Sequence, residues 1–292
     1  MNRIKIQNSL ESVTKKWWFL LLVLVLFFLP SYSSQAYDPE EIPLLIIEVM
    51  SNAFIYSYTS LFPVFKIIPI LLILGIILFG DRITRIFDIY VAIIITLFAT
   101  LQNMALTENY GFAIVTGNLV VYLFVAVLWV WEVVVKQNDF SPQKRPLWKY
   151  WVVPVALMAF WFPVNTASVP PEFDPRYFLL NEAGLTGCMM IPVYLAVLTL
   201  FFPKVNLPTM RITAFAGLIT GTLNVIQWFL FYPQAWLMGV LHLPLLVISI
   251  YAFVLSLRKV TRTQDTVKAH SNPCPDPGLI EEKPSGQMRN QK

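Results

Sequence analysis

The residues with most to offer chemically are amides set in apolar surroundings. Asn224 and Gln227 lie in the stretch Gly217-Leu-Ile-Thr-Gly-Thr-Leu-Asn-Val-Ile-Gln-Trp228. At helical spacing Gly217, Thr220, Gly221, Asn224, Gln227 and Trp228 share one face, because residues three and four apart stack above one another. Gln102, Asn103, Asn118 and His242 sit in other apolar stretches. An amide or a neutral imidazole both donates and accepts hydrogen bonds, so the set suits a neutral or zwitterionic solute. The plain alternative is that each side chain ties helices together, at about 0.6–2 kcal/mol per interhelical hydrogen bond. Gly117, Gly217 and Gly221 already permit close helix approach, and the amides are more than packing alone requires.

Other chemistries lack their parts. A single histidine in the apolar region cannot supply paired axial haem ligands, and no Cys, His and carboxylate set has zinc spacing. There is no Gly-rich phosphate loop, HExxH or nucleophile elbow, so neither a metal, a cofactor nor an enzymatic activity is expected. Asp88 has Arg85 one turn away and Glu132 has Lys136 at i+4, which predicts local ion pairing for both carboxylates. No carboxylate relay crosses the predicted membrane midplane, which argues against a proton pump. The last span holds no lysine for a retinal Schiff base. Cys188 and Cys274 fall on opposite sides of the predicted membrane and form no disulfide.

These side chains require helices that cross a bilayer. The chain of 292 residues is 57% hydrophobic and 13% charged, far from the composition of soluble domains. Apolar runs long enough to span about 30 Å of hydrocarbon recur along it. They predict an all-α polytopic helical membrane protein with about seven transmembrane helices, near 61–80, 86–106, 111–135, 150–164, 184–202, 212–232 and 236–257. Ahead of them, Arg3, Lys5, Lys15 and Lys16 precede the apolar run 17–29, and Ser34 and Ala36 supply small residues. This pattern predicts a cleaved signal peptide over 1–36, the alternative being an uncleaved first anchor. Residues 37–60 open with Asp38-Pro39-Glu40-Glu41 and Pro43, a helix-start signal. They read as an extracytoplasmic amphipathic segment or as an extension of the next span. Residues 259–292 are polar and without hydrophobic period, and predict a disordered cytoplasmic tail.

Basic residues near span ends stay on the cytoplasmic side. With the mature N-terminus outside and the C-terminus inside, only Lys66 and Arg176 of the 21 lysines and arginines fall outside, and Lys66 is expected to snorkel to the headgroups. The net charge of +4 thus belongs to the targeting segment, the inner loops and the tail, and nucleic acid is not an expected partner. The outer loop 165–182, stiffened by Pro170, Pro171 and Pro175 and acidic through Glu172, Asp174 and Glu182, is either a cap on an external vestibule or a connector.

Spans one to three and five to seven match at a nearly constant spacing. Ile68-Pro69 aligns with Ile191-Pro192, Thr100-Leu101-Gln102 with Thr222-Leu223-Asn224, and Asn118 with His242. A 3+1+3 parallel repeat would place a substrate site near the midplane. In topology alone this layout resembles the SWEET sugar carriers and the nicotinamide riboside carriers. The reading is therefore a multi-pass cell-membrane protein that carries a small neutral or zwitterionic solute in a pocket of Gln102, Asn103, Asn118, Asn224, Gln227, Trp228 and His242. The competing readings are a non-catalytic subunit or assembly factor bound to a membrane protein partner and, third, a receptor or sensor.

Overall fold

The computed structural model describes residues 3–161, 164–165 and 172–258. The tail over 259–292 and most of the outer loop lie outside these described residues. Of the described residues, 78% are helical. Among the described residues, five helical segments are long and apolar enough to cross a membrane: Phe54–Phe79, Asp81–Leu101, Thr116–Val135, Leu207–Phe231 and Pro233–Leu257. A sixth arises if Tyr177–Leu185 and Gly187–Phe201, bent by 87° at their junction, form one broken span. Trp17–Phe27 and Leu147–Trp161 are shorter apolar helices. This is an integral membrane architecture.

In chain order the helices are α1 (Arg3–Val13), α2 (Trp17–Phe27), α3 (Ile42–Ser51), α4 (Phe62–Phe79), α5 (Asp81–Leu101), α6 (Thr116–Val135), α7 (Val152–Trp161), α8 (Tyr177–Leu180), α9 (Gly187–Phe201), α10 (Leu207–Ile226) and α11 (Trp236–Leu257). Local sequence sets their ends. Asp38 and Glu41 form a reciprocal capping box before α3, satisfying backbone donors that a helix start leaves open. Asn206 caps α10 by accepting from the Thr209 backbone N–H, with Pro208 in the first turn, where a missing N–H costs nothing. Gln227–Phe231 continue α10 as a π-helical turn.

One correction concerns the region between α5 and α6. The third span was expected from 111, but Met104–Thr107 (β2) and Gly111–Ile114 (β3) form an antiparallel hairpin, and Tyr32–Ser33 (β1) pairs with the far edge of β3. Gly111 at the turn has φ 63°, a conformation that side-chain-bearing residues seldom adopt. Buried Leu45 and Val49 of α3 pack on this sheet with Ala105, Tyr110, Ala113 and Val115. Within the segment 37–60, α3 thus lies on a hairpin, while Phe54–Leu61 runs on into α4 as part of one apolar span. The Asn109 side-chain amide, with the Asn109 and Glu108 backbone N–H groups, holds the Glu48 carboxyl below the usual carboxylate range.

The sheet and α3 gather at one end of the bundle. At the other end, Lys204 pairs with Asp139 at 2.8 Å, Gln143 donates to the Phe201 carbonyl, and Arg211 joins Thr14 to the Ser256 carbonyl. Burial works against the charge on Asp139, yet bonds from Lys204 and Ser141 outweigh it and keep the carboxyl below its ordinary range. Between the two ends, α10 and α11 form the most extensive helix pair. A Cβ on Gly221 would sit 3.0 Å from the Leu246 Cα, so the two backbones nearly touch, as small residues allow in lipid.

Candidate functional site

The break between α8 and α9 is where the bundle departs most from continuous helices. Asn181 turns the chain by accepting from the Ala183 backbone N–H, and Glu182–Leu185 follow as a short 3-10 turn. Ala183, Gly184 and Leu185 are buried. A Cβ on Gly184 would lie 2.6 Å from the Phe65 carbonyl oxygen and 3.1 Å from the Lys66 backbone N, so only glycine lets this turn press against α4. The outer loop therefore ends inside the protein. After Thr186 the chain restarts as α9, and the Gly187 backbone N–H donates to Gln102 Oε1 at 3.0 Å. A helix start leaves such donors open, and here a side chain from the end of α5 fills one.

Charge sits beside this break. Lys66 is fully buried, its ammonium donating to the Phe160 carbonyl oxygen and lying 4.4 Å from the centre of the Phe160 ring. This corrects the expectation that Lys66 snorkels outward. The Glu182 carboxylate is near enough to act on Lys66 electrostatically but forms no ion pair with it within 4.0 Å. Phe178 packs edge-on against Phe160, with ring centroids 6.0 Å apart. On its far side lies an apolar cleft of about 350 Å³ lined by Leu157, Trp161, Pro175 and Phe178. On either side of Pro175 in the chain, Asp174 and Arg176 form an ion pair, and hydrogen bonds from Arg176 hold the Asp174 carboxyl below its usual range.

The predicted polar stripe does face the interior. Gly217 meets Ser249, Ile191 and Leu245, Thr220 shares a 2.5 Å hydrogen bond with Tyr122 of α6, and Asn224 Nδ2 lies 4.0 Å from Cys188 Sγ of α9. Gln102, Cys188 and Asn224 thereby come together around the start of α9. The other predicted residues do not all join them. Asn103 is buried and donates to the Phe98 and Ala99 carbonyls of its own helix, which is capping rather than recognition. Asn224 also donates to its own Thr220 carbonyl, and His242, buried, bonds the Met238 carbonyl at 2.7 Å. Asn118 and Gln227 are half-buried, and no hydrogen bond ties either to this cluster. The Trp228 ring packs on Tyr232 and its indole nitrogen is buried without a partner.

A second polar cluster, at the opposite end of the bundle, was not foreseen. Asp88 accepts from Asn138 Nδ2 at 2.8 Å. Glu132 accepts from the Asn138 backbone N–H at 2.6 Å and from Asn206 Nδ2 at 2.5 Å. The Asn138 side-chain oxygen takes the Asn206 backbone N–H, and the Asn206 oxygen takes Gln7 Nε2. All five residues are buried. Local ion pairs with Arg85 and Lys136 were expected; instead the loop amides Asn138 and Asn206 donate to these two carboxyls, with Gln7 of α1 bonded in turn to Asn206. Asn138 and Asn206 lie in the loops that follow α6 and α9, whose polarity reads as solvated surface, so spacing alone gives no sign of the cluster.

Comparison of the chain with protein-family models, with curated proteins and with solved structures finds no match to any of them.

Proposed function

We propose that this membrane protein is a carrier for small neutral or zwitterionic solutes, loaded at the break before α9. The observation that supports this reading most is that break itself: a span interrupted inside the bundle, where Gln102, Cys188 and Asn224 meet and the separated charges of Lys66 and Glu182 flank them. Interrupted helices that present backbone ends to a polar site are a recurring device of secondary carriers. A cation and a carboxylate held apart offer complementary ends to a zwitterion, while the amides serve its neutral groups. The apolar cleft lined by Leu157, Trp161, Pro175 and Phe178 gives a route from the outer face, and the Phe178 ring that lines it packs on Phe160 beside Lys66.

The rest of the topology follows from this reading. The end that holds the loop 136–146 and residues 202–211 is cytoplasmic by its basic residues, and the hairpin end is external. α7 and the broken span both cross, which yields the seven crossings from α4 to α11. Pro69 in α4 and Pro192 in α9 occupy equivalent places, in keeping with a 3+1+3 repeat. The competing subunit reading expects the polar stripe to face another chain, whereas Gly217, Thr220, Gly221 and Asn224 meet helices of this one.

The test is a thermal-shift screen of the detergent-purified protein against the twenty common amino acids and simple sugars, followed by uptake into proteoliposomes. A ligand at a hundred times its Kd stabilises the folded state by about 2.7 kcal/mol, which appears as a raised unfolding temperature. The expected result is a shift and uptake with at least one compound, both abolished in Asn224→Leu, Lys66→Met and Glu182→Gln. Uptake at wild-type rates in all three folded variants would remove the site, and no uptake of any compound would favour the subunit reading.

A further inference from the structure

We infer that residues 3–35 are not a leader cut from the protein but a permanent part of its fold, with α2 as an additional crossing and α1 as a strap across the inner face. This inference does not depend on the carrier reading. Three independent sets of contacts carry it.

The first lies at the expected cleavage site. Signal peptidases take their substrates as extended chain with small residues at −3 and −1, which here are Ser34 and Ala36. In the folded protein this stretch is already paired. Tyr32 and Ser33 are matched with Ile114 and Ala113 of β3. The Ser34 backbone N–H donates to the Phe112 carbonyl at 2.9 Å, Ser34 Oγ accepts from the Phe112 N–H at 2.9 Å, and the Gln35 N–H donates to the Tyr110 carbonyl. Just beyond, Tyr37 packs edge-on against Tyr110.

The second lies within the membrane. A Cβ on Gly117 of α6 would fall onto the Phe27 carbonyl oxygen, so α6 has glycine where α2 ends against it. Val23 and Phe27 are buried, and the Phe27 ring contacts Tyr122, the same residue that bonds Thr220. The apolar run of α2 is thus part of the bundle's packing.

The third lies on the inner face. Gln7 accepts from Trp131 Nε1 at 2.8 Å and donates to Asn206, and Arg3 donates to the Val134 carbonyl. Arg211 is fully buried, with one guanidinium nitrogen donating to Thr14 Oγ1 and another to the Ser256 carbonyl, each at 2.6 Å. Cutting after Ala36 would strip the buried Arg211 of one acceptor and Asn206 of a donor, and would bare the face of α6 at Gly117. A buried cation that keeps only the Ser256 carbonyl of its two acceptors is disfavoured. The strap also puts the N-terminus on the face that holds Ser256 near the end of α11, which requires an even number of crossings.

The experiment is an intact-mass measurement of the full chain carrying a C-terminal tag, purified from bacterial membranes. The expected mass is that of residues 1–292 plus the tag, with or without the first methionine. A mass lacking residues 1–36 overturns the inference. Docking is tested separately in a C188S/C274S background by two cysteine pairs, Gln7→Cys with Asn206→Cys and Arg3→Cys with Val134→Cys, treated in membranes with a short bis-thiol reagent. Cross-linked peptides from either pair support the strap. A full-length chain in which neither pair cross-links overturns it, since the segment would then be retained without being docked.

Discussion

Asn138 shows how much one amide holds in this protein. Its backbone N–H and its side-chain N–H groups serve two different buried carboxylates, while its oxygen receives the Asn206 N–H. A hydrogen bond from an amide to a buried carboxyl group is worth about 1–3 kcal/mol, and removing one partner leaves the other buried and unsatisfied. Asn138→Leu retains the backbone bond to Glu132 but deprives Asp88 and the Asn206 N–H of their partners. It should therefore destabilise the protein by about 2–4 kcal/mol, read as a fall in the unfolding temperature in detergent. The double variant Asn138→Leu with Asp88→Leu should recover part of that loss, because the uncompensated carboxylate is then gone. No recovery would mean that Asp88 is not what Asn138 supports. The same logic explains why sequence misjudged these acids. Helical spacing finds a partner one turn away, but the donor to Asp88 comes from a loop 50 residues on, and those to Glu132 from that loop and from Asn206, 74 residues on.

Helix existence was legible because hydrocarbon demands long apolar runs, and α4, α5, α6, α10 and α11 stand close to where those runs place them. The inward turn of the Gly217 to Asn224 stripe was legible for the same reason, since small and polar residues have no place against lipid. What escaped was backbone at the ends. The hairpin strands Met104–Thr107 and Gly111–Ile114 are mostly apolar and read as the ends of spans, while Glu108 and Asn109 between them read as no more than a short loop. The break before α9 was also hidden, because Ala183, Gly184 and Leu185 are as apolar as the helix they interrupt. Of the proposed pocket, Gln102 and Asn224 were brought to one place, whereas Asn103 and His242 bond their own helices, which spacing cannot distinguish from recognition. The α10–α11 contact gives the prediction at this scale. Gly221→Leu must push a side chain into the Leu246 backbone, 3.0 Å from where its Cβ would start. It should lower the unfolding temperature far more than Leu218→Ala on the same helix, and equal effects would show that the two backbones are not in close contact.

For the molecule as a whole, the two ends have distinct characters. One carries a sheet and an amphipathic helix, the other buried amides, acids and basic loops. If basic residues orient the chain as they do in other membrane proteins, a cysteine at Asn109 in the C188S/C274S background should react with an impermeant maleimide added to intact cells. A cysteine at Gln143 should react only after the cells are opened. The reverse pattern would invert the orientation while leaving the packing unchanged.

The sheet that joins Tyr32–Ser33 to Gly111–Ile114 also sets an order of events during biogenesis. The first strand leaves the translocon well before its partner has been synthesised, with α4 and α5 still to be threaded between them. Until that partner arrives, its backbone donors are met by water, and long-range pairing of this kind is slow to form. On the proposal that residues 3–35 stay in the protein, this pairing is a late closure, and the ribosome must deliver at least the start of α6 before α2 meets Gly117.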